Sequence, residues 1–156
     1  MQSQIFDKLK VELMKDIINE LQIVYILSRI RKLLEINKLK SKYPILNFYC
    51  NWSLHSEITE TDGKTINAMF KEFIEKPEEK YKLIFHLQFL KQLNAFLKYS
   101  HLPTLSSEKL NNFRFQLQKV ISDTPIEVKT GTKYKIIFKE PMNKNESGLH
   151  ITTIID

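Results

Sequence analysis

The stretch Tyr43–Ile58, YPILNFYCNWSLHSEI, limits what this chain can fold into more than any other part of it. It holds the only Trp and the only Cys, among closely spaced aromatic and aliphatic side chains. At 3.6 residues per turn, Ile45, Phe48, Tyr49, Trp52 and His55 share one face, and Leu46, Cys50 and Leu54 fall beside or behind it. A helix apolar on more than one side must sit between other elements, so the spacing predicts a central, sandwiched helix. With 156 residues the chain is long enough to bury a core around it, and one domain is expected.

The flanking segments supply the packing partners. From Gln4 to about Leu39 there is neither Pro nor Gly. Phe6, Leu9, Leu13, Ile17, Val24, Leu27 and Leu34 follow a helical stripe that Ile18, Leu21, Tyr25 and Ile30 widen, which predicts one long helix. Such a length is accommodated by a break near Asn19 to Gln22 or by pairing with a second copy along the helix. Pro44 fits the first helical position of the central helix. After the loop TETDGKT, in which Thr61 or Asp62 can cap, Ile66, Met69, Phe70, Phe73 and Ile74 predict a third helix. Pro77, Glu78 and Glu79 suit the first turn of a fourth, running to about Ser100, with Phe85, Phe89, Phe96 and Tyr99 on one stripe and Leu83, Leu87, Leu90 and Leu97 on another. Ser106 or Ser107 opens a fifth, whose core face is Leu110, Phe113, Leu117, Val120 and Ile121.

Beyond Pro125 the period changes. IEVK, KYKIIFK and LHITTII are rich in β-branched residues, with Thr130 and Gly131 at one turn and MNKNESG at another. The expected class is α+β: mainly α, about five helices over 1–123, with a small C-terminal antiparallel β meander over 124–156.

Charge is unevenly placed. The net charge is +6 and the isoelectric point near 9.3, but only Arg29, Arg31 and Arg114 are arginine. Lysine-rich, Ile-rich and Asn-rich sequences also arise from codon bias, and arginine is the usual choice for forked contacts to phosphate and guanine, so position matters more than the total. Arg29, Arg31, Lys32, Lys38, Lys40 and Lys42 face only Glu35. Acids dominate from Glu57 to Glu79, and cations return from Lys82 to Lys119 with Glu108 as the single acid. Segregation of this kind favours an oriented surface, though solvated helix faces and helix C-termini account for basic residues too.

Recognisable chemistry is sparse. Cys50 and His55 lie about 140° apart around a helix, so they form no nucleophile and base pair there. Cys50 is expected in the core, and a single Cys allows neither an internal disulfide nor a metal finger. His86, His101 and His150 fall on different segments with no helical metal spacing, and no metal or cofactor is expected. With Gly only at Gly63, Gly131 and Gly148, no glycine-rich phosphate loop exists. No apolar run spans a membrane, and the start MQSQIFDKLKVEL lacks a secretory pattern, so the cytoplasm is the expected compartment.

The helix Ser106 to Ser122 followed by strands is similar in outline to the recognition helix and hairpin of the winged-helix family, over the last third of the chain only. Opposite its core face stand Lys109, Asn112, Gln116 and Lys119, with Arg114 and Gln118 alongside, residue types able to contact phosphates and base edges. The helical ribonucleases of toxin and defence systems place an Arg a short, fixed distance before a His, and none of the three arginines is so placed. The expectation is a non-enzymatic basic protein engaging nucleic acid or a nucleoprotein through Arg29 to Lys42 and Lys109 to Lys119. Alternatives are a protein adaptor or inhibitor, and a ribonuclease-type toxin using His55, His86 or His101.

Overall fold

The computed structural model describes residues 2–54, 79–121, 126–128, 133–138 and 149–154. The expected third helix over 66–76, its leading loop, His55, Pro77, Glu78 and both turns between strands lie outside these residues. The chain is mainly helical, with α1 (Gln2–Leu13), α2 (Glu20–Ile36), α3 (Pro44–Ser53), α4 (Glu79–Tyr99) and α5 (Ser107–Ile121). Along the remaining backbone, β1 (Ile126–Val128) pairs antiparallel with β2 (Lys133–Phe138), and β2 with β3 (Leu149–Ile154).

The N-terminal stretch is two helices and not one, and the break falls where its length allowed one, near Asn19 to Gln22. Asn19 stops the first pattern and starts the second: its Oδ1 accepts from the Gln22 backbone N–H at 3.0 Å, and Gln22 Oε1 accepts from the Asn19 N–H at 2.8 Å. This reciprocal cap satisfies two N–H groups that a new helix end would otherwise leave bare. The break also resets the helical phase. Ile17 and Leu21, assigned to the core stripe, are exposed, while Ile18 and Ile23 are fully buried. A continuous stripe through the interruption therefore places Ile18 correctly but puts Ile17 and Leu21 inside and leaves Ile23 out.

α3 is sandwiched, packing against α2, α4 and α5. Every residue from Ile45 to Ser53 is buried, and Phe48, Tyr49, Cys50 and Trp52 are at most 1% exposed. Tyr49 stacks with Phe89 of α4 at 4.4 Å between centroids, and Phe89 meets Phe113 of α5 at 6.3 Å. The start of α3 has Pro44 in its first turn but no side-chain cap from Tyr43. Gln92 of α4 takes that role from across the core, its Oε1 accepting from the Ile45 and Leu46 N–H groups at 3.0 and 3.1 Å.

Two helices end without glycine. Lys38 has φ 55° and His101 φ 58°. In each case the next residue's N–H reaches back to the carbonyl five positions earlier, Leu39 to Leu34 at 2.9 Å and Leu102 to Leu97 at 2.8 Å. The connection after α4 is held by Asn94, whose side chain both donates to the Leu105 carbonyl and accepts from its N–H. α4 is less enclosed than its two stripes imply, since Leu87 and Tyr99 are exposed.

These ends give a paired prediction. Asn19→Ala should lower the unfolding free energy by about 1 kcal/mol through loss of the cap. His101→Gly should raise it by about 1 kcal/mol by relieving the left-handed backbone. Urea denaturation with an unchanged m-value checks both.

Candidate functional site

Among the described residues, polar side chains from different helices come together in the interior and on the basic surface. The Tyr49 hydroxyl and His86 Nδ1 share a buried hydrogen bond of 2.5 Å between α3 and α4. Burial raises the Tyr49 hydroxyl well above the ordinary phenol value, and the nearby Arg114 charge on α5 opposes that. Partial burial lowers the Arg114 guanidinium, with Tyr49 opposing. Beside this cluster Cys50 is fully enclosed; burial raises its thiol far above the ordinary value, and Arg31 opposes. A thiol held neutral is a poor nucleophile, so Cys50 is core. His86 and His101 stand fifteen positions apart along α4 and its C-terminal turn, roughly 22 Å at 1.5 Å per residue, which is too far for a shared acid and base step. Among the described residues no group of three His, Cys, Asp or Glu side chains is placed to hold a metal.

The second place is the basic surface. Arg29 sits over the Tyr25 ring, its Cζ 3.0 Å from the centroid, and its Nη1 donates to the Tyr25 carbonyl at 3.3 Å. Arg31 Nε donates to Asn51 Oδ1 at 2.8 Å, which ties α2 to the middle of α3. Lys42 sits over the Tyr99 ring at 3.7 Å and is exposed, as are Lys32 and Lys38, while Lys40 is half-buried. Every one of these partners is neutral. Among the described residues the single ion pair in contact is Lys15 with Glu12, and no described carboxylate pairs with the cations from Arg29 to Lys42.

The α5 residues divide. Lys109 Nζ donates to the Leu13 carbonyl at 3.3 Å, and Asn112 Nδ2 to the Ile18 carbonyl at 3.2 Å. Both lie on the face read as open to solvent, yet both close the α1–α2 turn, where helix ends leave carbonyls to be satisfied. Gln118 is buried, Arg114 and Gln116 are half-buried, and Lys119 is exposed. The recognition face expected by analogy with winged helices is thus partly spent on packing.

A cleft between α1 and α2 brings in residues that sequence reasoning missed. Gln4, Ile5 and Lys8 from α1 face Ser28, Arg29 and Lys32 from α2 around a space of about 340 Å³. A signal existed in the i, i+4 pair Gln4 and Lys8, but it acquires meaning only once α1 folds back on α2. Compared with known protein families, curated proteins and solved structures, the chain matches none.

The buried acids give a pH prediction. Tyr49 and Cys50 are neutral in the folded chain and ionise in the unfolded one, near about 10 and about 8.5 respectively. Raised folded values mean that their stabilisation is intact below about pH 8.5 and is lost progressively as pH rises above it. Denaturation between pH 7.5 and 10 should show stability falling, at up to about 1.4 kcal/mol per pH unit for each ionising group. Cys50→Ala should remove the thiol part of that slope, and in the native protein Cys50 should react with a thiol reagent only as fast as the chain opens.

Proposed function

We propose that the protein is a non-enzymatic binding protein that engages nucleic acid, alone or in a nucleoprotein, through its basic surface. One observation carries the reading: the cations from Arg29 to Lys42 oppose a single acid, Glu35, and those that have partners are held by an amide, a carbonyl or an aromatic ring. Neutral partners fix a cation's position without cancelling its field, and an uncompensated field attracts a polyanion. Lys119 and the half-buried Gln116 extend this surface on α5. The reading retains the α+β class, with a helical body over 1–123 and a C-terminal meander over 124–156. No described helix is long and apolar enough to cross a membrane.

A second reading, a protein adaptor, has its own support. Val11, Met14, Ile17 and Leu21 are all at least 60% exposed around the α1–α2 turn. Apolar side chains gathered along one short stretch mark contact surfaces for other proteins. Sedimentation of the purified chain beside a Met14→Ser, Ile17→Ser variant distinguishes self-association there from a monomer.

Electrophoretic mobility with duplex DNA, single-stranded DNA and RNA tests the main reading. Binding at low salt should weaken with salt, with a log–log slope of about −5 on duplex for roughly six phosphate contacts. Lys38→Gln, Lys40→Gln, Lys42→Gln should make that slope shallower by about 3. No shift of any probe at low salt would retire the reading.

A further inference from the structure

We infer that the cleft between α1 and α2 is a phosphate-binding site, in which Lys8, Arg29 and Lys32 hold the oxyanion and Ser28 and Gln4 complete its hydrogen bonding. The inference rests on the proposed nucleic-acid surface and narrows it to one point of attachment. Three cations from two helices converge on the cleft, and among the described residues no carboxylate lines it. Asp7 and Glu35 neighbour these cations in sequence but are not among the lining residues. At about 340 Å³ the space falls within the range of small-ligand sites, near its lower end.

Arg29 supplies what scattered surface lysines lack. Its guanidinium is held on two sides, by the Tyr25 ring beneath it and by the Tyr25 carbonyl at Nη1. Among the described residues this is its sole hydrogen bond, which leaves four of its five N–H donors for a ligand. A guanidinium already fixed in place loses little freedom when an oxyanion arrives, and its forked donors match phosphate geometry. Lys8 and Lys32 then act as point charges from the two walls. Ile5 provides an apolar surface within the same cleft, suited to the sugar of a nucleotide. The shared chemistry is a phosphate group, carried by a nucleic-acid strand or free in solution.

Amide NMR of the full chain tests this with three probes at low salt: a single-stranded hexathymidylate, inorganic phosphate and thymidine. The two phosphate-bearing probes should shift amides of residues 4–8 and 28–32 saturably, and thymidine should not. Tighter binding of the oligonucleotide supports the strand as the source, and tighter binding of inorganic phosphate supports the free ion. Lys8→Gln, Lys32→Gln should weaken oligonucleotide binding about tenfold or more, against about twofold for Lys91→Gln, Lys98→Gln, which removes equal charge from exposed positions outside both the cleft and the proposed surface. All four positions are at or near the surface, so the variants keep dispersed spectra. Arg29→Lys should also weaken binding, because it keeps the charge and loses the fork. Equal loss in both double variants, shifts spread over the whole basic surface, or the same shifts with thymidine would overturn the cleft. Gel retardation without cleft-centred shifts leaves the basic surface standing and removes the cleft. Cleft-centred shifts without retardation of any long probe do the reverse.

Discussion

Complete enclosure of α3 is the constraint from which the other features follow. A ten-residue helix buried on all sides carries its Asn, Ser and Tyr groups into the interior with it. Leaving such groups bare costs more than a made hydrogen bond returns, and most of them are satisfied, while Asn47 Oδ1 has no partner among the described residues. α4 sends Gln92 to the helix start and His86 to Tyr49. α2 sends Arg31 to Asn51. Ser53 closes on the Cys50 carbonyl within α3 itself. The aromatic contacts supply the burial energy, and these polar ties set which helix can sit where.

The same arrangement leaves the exterior charged. A cation that spends a donor on an amide or carbonyl is oriented but still positive, and Arg29 and Arg31 are both of this kind. Carboxylates in those places would have cancelled the field and stabilised the fold modestly, since exposed ion pairs contribute little. Cations with which no described carboxylate pairs cost some self-repulsion instead. That balance suits the anionic partner proposed above, and in the α1–α2 cleft it coincides with a concave shape.

Much of this was legible in the residues. The crowded apolar run from Ile45 to Trp52 reads as a helix enclosed on several sides, and burial of Cys50 follows from it. The charge run from Arg29 to Lys42 is visible by inspection. The break at Asn19 was harder, because an Asn three residues before a Gln is a cap only if the chain turns there, and the apolar period runs on through it nearly undisturbed. Lys109 and Asn112 misled for a related reason. Helical angle places them opposite the main core face, but a helix in a small domain has flanks as well as faces, and this flank lies against the α1–α2 turn.

The spacing of side chains along the chain was enough to mark the described stretches as helical and to show which one must be innermost, because 3.6-residue periodicity and the cost of exposing aromatic area are local and additive. Partnerships between segments were not contained in that spacing. Gln92 reaching α3, Arg31 reaching Asn51 and Lys8 arriving opposite Arg29 each depend on how two helices cross. A crossing is chosen by the shape of the whole core, to which residues far apart in the chain contribute at once.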